Sequence, residues 1–388
     1  MQRLLKADER KRRASAILQP KATKKEMKKR NKRGGLKMFE NVVGEKKESC
    51  ELMSNEQVRI AVIGVGGAGC NTVDRMMKSG IKSAQTIAVN TDQLHLKVVQ
   101  AHKRVLIGST VTKGLGAGGF PEVATKCAEM SREKLKEVIG EKELVFIAGG
   151  MGGGTGTGAA PVIAEIAKEQ GAIVVSVVTM PFRLERARMQ KAKWGLQRLA
   201  SKSDTVIVIE NDRLVGYVPN LPIAEAFNLA DAITGKAITG ISDTITLPSL
   251  MNIDFADVKS VMENKGFALI SMGEGRGTDR IEQVVRNTME HPLLDASYEG
   301  ARGALLHVNG GTGLTLGEGI EIGEKISQSF DGNADVKIGA RLDPSLGDSI
   351  TVTSIVTGIK NPYLGAEAGV REEHSAQKAM SVDAINYL

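Results

Sequence analysis

Short runs of aliphatic and β-branched residues alternate with amphipathic stretches along the first half of the chain. Six such runs predict strands, at residues 59–65, 86–90, 104–108, 144–148, 172–179 and 205–210. Helical periodicity separates several of them, as in 121–139 and 159–169. Because this alternation is typical of a parallel sheet with helices on both faces, we predict a Rossmann-like α/β domain. Its ligand is expected at the carboxyl ends of the strands.

A long helix and a second α/β unit are predicted to follow. Apolar residues recur at three- and four-residue intervals over 221–245, which indicates one helix despite Gly235 and Gly240. Four more strands are predicted, at 267–272, 303–309, 335–341 and 349–358. Helices are expected at 280–290 and 317–330, and the last two strands are expected to pair with each other in antiparallel fashion.

Charge is distributed unevenly along the 388 residues, whose formal net charge is +7. Residues 1–37 hold 15 of the 52 basic residues but only 3 of the 45 acidic ones, so the rest of the chain is acidic. We expect this basic segment to be disordered. Three interpretations stay open: it binds nucleic acid, it binds anionic lipid, or it is not translated because Met38 is the first residue.

Composition excludes several classes of protein. Aromatic residues make up only 3% of the chain, which disfavours a surface on which nucleic-acid bases stack. No apolar run approaches the roughly 20 residues of a membrane span. Cys50, Cys70 and Cys127 show no metal-ligand spacing and fit a reducing cytoplasm, and the five histidines are scattered.

Three glycine-rich loops carry the main chemical signal. The first, Gly64–Gly69, follows the first strand and has the form G-x-G-x-x-G; the second spans 113–119 and the third 149–158. Each precedes a predicted helix, so three helix N-termini should meet at one edge of the sheet. Their N–H groups and partial positive charge favour phosphate, and three loops suit a triphosphate.

The first loop alone leaves an alternative open. G-x-G-x-x-G, with Asp92 as a ribose-binding acid, is also typical of a nicotinamide-dependent oxidoreductase. No loop ends in the G-K-[ST] of a P-loop. Charge neutralisation is therefore expected from backbone amides, a metal ion and the hydroxyls of Thr155 or Thr157.

The segment Gly152-Gly-Gly-Thr-Gly-Thr-Gly158 is the signature of the tubulin superfamily. Residues 58–360 as a whole resemble the FtsZ family of prokaryotic cell-division GTPases, closer to its archaeal members. The resemblance implies GTP and GDP as ligands, Mg²⁺ held through phosphates and water, and assembly with itself into a head-to-tail polymer. It divides the chain into five parts: a basic extension at 1–57, a GTP-binding domain at 58–220, a central helix at 221–246, an activating C-terminal domain at 247–360 and a flexible tail at 361–388.

The resemblance also implies which residues hold the nucleotide. They are Gly66, Gly67, Ala68, Gly69, Cys70, Asn71, Gly118, Gly119, Gly153, Gly154, Thr155, Gly156, Thr157, Glu185, Arg188, Asn211, Phe227 and Asp231. Glu185 would bind the ribose, Arg188 would lie beside the nucleotide, and Phe227 would stack on guanine. Without the resemblance, Glu185 and Arg188 would be interpreted as an exposed ion pair, and Phe227 as ordinary core.

Asp231 would accept hydrogen bonds from the guanine N1–H and amino group. Guanine presents donors at that edge where adenine does not, so a buried aspartate would discriminate strongly between them. One residue departs from the family pattern: Phe120 follows the second loop where asparagine or aspartate is more common. We expect this departure to affect hydrolysis or assembly rather than the choice of nucleotide.

Carboxylates for hydrolysis lie in the segment Leu250-Met-Asn-Ile-Asp-Phe-Ala-Asp257. By pattern alone, Asp254 is an N-cap and Asp257 lies in the first turn of a helix at 255–264. The resemblance implies instead that Asn252, Asp254 and Asp257 act on the nucleotide of a neighbouring subunit.

Expected partners are other copies of this chain, division-ring proteins and a membrane anchor. The protein itself is expected in the cytoplasm, assembling at mid-cell beneath the membrane. The tail ending in HSAQKAMSVDAINYL shows no copy of the acidic, apolar and basic peptide by which bacterial relatives bind anchors.

Overall fold

The computed structural model describes residues 58–213, 222–246, 249–251, 253–263, 266–290, 298 and 300–359. The basic extension at 1–57 and the tail at 361–388 lie outside the described residues. No helix in the described ranges is long and apolar enough to cross a membrane.

Six parallel strands form the first half of the sheet, as predicted. They are β1 (Ile60–Val65), β2 (Gln85–Asn90), β3 (Lys103–Leu106), β4 (Leu144–Gly150), β5 (Ile173–Met180) and β6 (Thr205–Glu210). Their order is β3-β2-β1-β4-β5-β6. All six residues of β1 are buried, because helices cover both faces of the sheet and strands so placed need near-continuous apolar sequence.

Seven helices connect these strands. They are α1 (Gly66–Lys78), α2 (Gln93–Val98), α3 (Ser109–Thr112), α4 (Pro121–Met130), α5 (Arg132–Ile139), α6 (Thr155–Glu169) and α7 (Arg186–Ala200). The single helix predicted at 121–139 is therefore wrong: two helices meet at Ser131, whose hydroxyl accepts a hydrogen bond from Gly108 N.

Helix α6 begins at Thr155, four residues earlier than predicted, and Pro161 lies inside it. Its glycines allow this early start because the first turn is packed against other backbone. A Cβ on Gly156 would lie 2.4 Å from the Gly150 carbonyl oxygen, and one on Gly158 would lie 2.0 Å from that of Pro121. The threonines of the signature thus belong to a helix, not to a loop.

The second half of the chain extends the same sheet. Its elements are α8 (Ile223–Thr246), α9 (Phe255–Met262), β7 (Gly266–Gly275), α10 (Arg280–Met289), β8 (Gly303–Gly310), α11 (Leu316–Ser327), β9 (Asp335–Leu342) and β10 (Ile350–Thr357). Strand β7 pairs in parallel with β6, and the order continues β7-β10-β8-β9.

The prediction that the last two strands pair with each other is wrong. Strand β10 lies between β7 and β8 and is antiparallel to both, whereas β9 runs parallel to β8 at the edge. Burial explains the placement: β10 is buried along nearly its whole length, while most of β9 is only half-buried. A strand with so many fully buried residues needs neighbours on both sides.

The predicted long helix is confirmed as α8, which packs on α1 and on the sheet. Its glycines permit close approach: a Cβ on Gly235 would lie 3.2 Å from Met76, and one on Gly240 would lie 3.4 Å from Thr353. The helix therefore lies against both halves of the structure.

Candidate functional site

The three glycine loops touch one another at the carboxyl edge of the parallel strands. A Cβ on Gly66, in the first loop, would lie 2.8 Å from Gly156 N in the third. One on Gly154, in the third loop, would lie 2.9 Å from Ala117 Cβ and 3.3 Å from Gly119 N in the second. The predicted convergence of three helix N-termini is therefore present.

The outer surface of this cradle, formed by the three glycine loops, is open, and the helices that begin there lack side-chain caps. A Cβ on Gly67, Gly119 or Gly153 would meet nothing within 4 Å. At the N-termini of α1, α4 and α6 no side chain caps the helix, which leaves first-turn N–H groups available to a ligand. Uncapped helix ends beside open space suit an anion with several phosphates.

Some side chains predicted to bind the nucleotide are buried or half-buried beneath the cradle and contact protein groups there. Thr157 is fully buried and its Oγ1 accepts a hydrogen bond of 2.8 Å from Gly152 N. Burial raises the pKa of the Cys70 thiol to about 12, so it stays neutral. Thr155 is half-buried, with its Oγ1 2.8 Å from that of Thr91.

Asp92, the ribose-binding acid of the oxidoreductase interpretation, is engaged as a helix cap. Its carboxylate caps α2 by accepting hydrogen bonds from Leu94 N and His95 N at 2.9 and 3.1 Å. The residue is therefore occupied as a helix cap.

The side chains predicted near the sugar lie beyond the carboxyl ends of β5 and β6. Glu185 and Arg188 form an ion pair of 2.7 Å, and Glu185 also accepts from Phe182 N. Asn211 directly follows β6, and its Oδ1 is buried with no hydrogen-bond partner among the described residues. An orphaned acceptor of this kind is costly unless a ligand or water supplies a donor.

Asp231 faces α1 from α8 and is 9% exposed. Its Oδ2 lies 3.7 Å from Arg75 Nε, an ion pair too long for a hydrogen bond. Burial raises the pKa of Asp231 from 3.8 to about 6, against the opposing influence of Arg75 and Thr72. Phe227 also lies on α8, but its side chain is outside the described residues.

Two cations near the cradle were not predicted from the sequence. Arg75 pairs with Asp231 and donates to Asn228 Oδ1, and it could have been found because it lies one helical turn after Asn71. Lys191 of α7 donates to the Gly119 carbonyl oxygen at 2.7 Å and lies 5.4 Å from the centre of the exposed Phe120 ring. No sequence pattern linked Lys191 to a loop 72 residues away.

Asp254 and Asp257, the carboxylates of the segment at 250–257 (the acidic segment), have the capping geometry that the sequence pattern alone predicted. Asp254 Oδ1 accepts from Asp257 N at 2.8 Å and caps α9, while Asp257 pairs with Lys337 at 3.3 Å. Asp254 is exposed and Asp257 half-buried, so both can also meet a partner. Asn252 lies outside the described residues.

This acidic segment lies at the amino edge of the sheet, opposite the cradle. Phe255 and Lys259 of α9 line a cavity of about 260 Å³ together with Arg59, Glu143 and Ile173, which lie at the starts of β1, β4 and β5. The first and third glycine loops follow the opposite ends of β1 and β4. Since the seven-residue β4 spans roughly 20 Å, Asp254 and Asp257 cannot reach a nucleotide in their own cradle.

Family models match most of the chain. One described as the GTPase domain of the Tubulin/FtsZ family matches residues 59–219, and another described as the C-terminal domain of the FtsZ family matches 266–360. The chain is 51% identical over 344 residues to the cell division protein FtsZ 2 of Methanocaldococcus jannaschii, covering 86% of this chain and 90% of that relative.

Solved structures agree with this match. An empty FtsZ dimer from M. jannaschii is 44% identical with a TM-score of 0.75, covering 79% of this chain and 89% of that chain. The GDP-bound monomer of CetZ1 from Haloferax volcanii has a TM-score of 0.70, covering 79% and 96%, but at 22% identity it supports the fold alone.

Proposed function

The chain belongs to the tubulin/FtsZ family of GTPases, and from this premise we propose that it hydrolyses GTP between neighbouring subunits of its own filament. One subunit would bind GTP in its glycine cradle, and the next would place Asp254 and Asp257 over the γ-phosphate. The oxidoreductase interpretation of the first loop is wrong, because the GTPase family model spans all three glycine loops.

The observation that carries this proposal is the placement of cradle and carboxylates at opposite edges of one sheet. A chain that holds half of an active site at each end completes it only by contact with another copy. A contact between two different surfaces of the same protein does not close on itself, so it generates a filament.

The chemistry follows from the groups at each edge. Amides at the N-termini of α1, α4 and α6 would stabilise charge on the phosphates. Asp254 and Asp257, with Asn252, would orient and polarise the attacking water. The three glycine loops contain no carboxylate, so Mg²⁺ would be held by phosphates and water, where it supplies positive charge to the reacting phosphates.

Exposed apolar side chains support burial of both edges by assembly. At the cradle edge Leu94, Leu115 and Leu184 are 69%, 79% and 82% exposed, and Leu250, the first residue of the acidic segment, is 70% exposed. Apolar area of this kind gains free energy when a partner covers it. The contact between edges would therefore contribute to assembly as well as to catalysis.

In the cell, we propose that these filaments form the cytokinetic ring, joined by division-ring proteins and a membrane anchor at mid-cell. This proposal is supported by the names of relatives at 43–51% identity, which are cell division proteins. A cytoskeletal role in cell shape is the alternative, and the position of the tagged protein in dividing cells separates the two.

The first test is right-angle light scattering on the full chain with Mg²⁺ and GTP, GDP or ATP, while phosphate release is followed at several protein concentrations. We expect scattering with GTP only, and turnover per subunit that rises with concentration. Turnover that is independent of concentration, without scattering, would show that each chain hydrolyses GTP alone.

A mixing experiment tests the shared site directly. Asp257→Ala keeps the cradle and loses a carboxylate, whereas Gly153→Asp keeps the carboxylates and places a negative charge in the open cradle. Each variant alone should be inactive. Their mixture should recover turnover, because the nucleotide of the first meets the carboxylates of the second. A mixture as inactive as its parts would contradict the shared site.

A further inference from the structure

We infer that His95 is a positioning residue for the nucleotide: it holds the Asn71 side-chain amide so that an N–H group, not the carbonyl oxygen, faces the bound ligand. The inference rests on the proposed function, since Asn71 is taken to lie against GTP or GDP. It rests on a chain of hydrogen bonds from Asn90 through His95 to Asn71.

This series of hydrogen bonds begins at Asn90, the last residue of β2, which is 3% exposed. Its Oδ1 accepts from two backbone groups, Thr91 N at 2.8 Å and Asp92 N at 3.3 Å. Because both of these groups are donors, the carbonyl end of the amide must face them. The amide nitrogen therefore points the other way, and it lies 3.2 Å from His95 Nδ1.

This arrangement fixes the tautomer of His95. Asn90 Nδ2 can only donate, so His95 Nδ1 must accept and carries no proton. The neutral ring then carries its proton on Nε2, which lies 3.0 Å from Asn71 Oδ1. Nε2–H can donate there only if the carbonyl oxygen of Asn71 faces the ring, as it does.

The hydrogen bond from His95 decides which group of the exposed Asn71 side chain is available to a ligand. Its oxygen is held by His95, while its amide nitrogen has no hydrogen-bond partner in the described part of the chain. Asn71 lies in α1 one turn after Gly67, whose outer side is open. It thus presents a donor at the cradle, which suits an oxygen of the ribose or of a phosphate.

The same short segment also joins the other two loops. Thr91 Oγ1 lies 2.8 Å from the Oγ1 of Thr155, the first residue of α6 after the third loop, and the Thr91 carbonyl accepts from Gly116 N in the second loop. His95 therefore connects Asn71 to a segment that is already fixed against the rest of the cradle. Because this segment is hydrogen-bonded to the other parts of the cradle, the His95 imidazole has a fixed position from which it can orient the exposed amide of Asn71.

Three variants of the full chain test the inference by binding of a fluorescent GDP analogue. His95→Leu removes both bonds. His95→Asn can reach Asn90 but is too short for Asn71. His95→Gln can accept from Asn90 and donate to Asn71, as the histidine does. We expect the first two to weaken binding about three- to tenfold, as for loss of one hydrogen bond, and His95→Gln to stay within about twofold of the parent.

Each variant is combined with Asn71→Ala, and thermal unfolding checks that all fold. If His95 acts through Asn71, its substitution has no further effect once Asn71 is alanine. Unchanged binding by His95→Asn, or an equal loss in the Asn71→Ala background, would overturn the inference. If His95→Leu does not fold, His95→Asn carries the test. Failure of the parent protein to bind the analogue would count against the proposed function instead.

Discussion

The burial of Asp231 predicts how strongly the free energy of unfolding depends on pH. A carboxyl whose pKa is raised from 3.8 to about 6 binds its proton more tightly in the folded protein than in the unfolded chain. The free energy of unfolding of the nucleotide-free protein therefore falls as pH rises from about 4 to about 6. The full effect is on the order of 3 kcal/mol and is present at pH 7. Asp231→Asn should remove this penalty and raise the stability of the nucleotide-free protein at pH 7.

Guanine would reverse this penalty by donating its N1–H and amino group to the carboxylate. If the bound pKa of Asp231 returns to near 4, binding is about tenfold tighter at pH 7 than at pH 5 and releases a proton between these values. Asp231→Asn should bind GDP more weakly at pH 7 and lose this proton release.

Calorimetric titration with GDP in two buffers of different ionisation enthalpy counts the protons released. Phosphate also titrates near pH 6, and the Asp231→Asn variant measures that contribution by itself. Equal proton release by parent and variant at pH 6 would refute the assignment of Asp231 to the guanine. So would a variant that is no more stable than the parent at pH 7 when nucleotide is absent.

Three further predictions concern the cradle and the acidic segment. Gly153→Ala should weaken GDP binding at least tenfold, because its methyl group occupies the open space of the cradle that the nucleotide would fill. Gly332→Ala, at a position equally open but distant from the cradle, should bind GDP as the parent does. Equilibrium binding of GDP compares the two variants. Phe120→Asn should change the rate of phosphate release or of scattering and leave the preference for GTP over ATP intact, as competition binding would show. Asp254→Asn keeps an N-cap for α9 and should bind GTP normally but lose at least 90% of turnover, whereas the matched cap variant Asp343→Asn should hydrolyse GTP normally.

Local patterns predicted the elements of this fold well. The six parallel strands and the long helix lie within two residues of their predicted bounds, because buried parallel strands and a one-sided helix each leave a strong periodic signal. Pairing among the last strands was predicted wrongly, since the order of β8, β9 and β10 depends on which strand is buried on both sides and not on adjacency in the sequence.

The site was predictable only where its residues are close in sequence. The glycine loops could be placed at one edge because each follows a strand and precedes a helix. Contacts between segments that are distant in sequence produce no local sequence pattern. The hydrogen bonds from Lys191 to Gly119 and from His95 to Asn71 are therefore visible only in the folded chain. The start of α6 at Thr155 was missed because glycine normally disfavours helices, and here close backbone packing overrides that preference.

The polarity of a parallel sheet has a consequence for the proposed filament as a whole. The carboxyl ends of β1 and β4 carry two loops of the cradle, and their amino ends lie beside the acidic segment. Each contact between two subunits therefore completes one site, and one subunit at the end of every filament has a cradle that no neighbour covers. Its GTP meets no Asp254 or Asp257 and should persist until another subunit adds. In the proposed filament, hydrolysis would thus follow addition rather than precede it, because the site at each contact exists only after the neighbour has added.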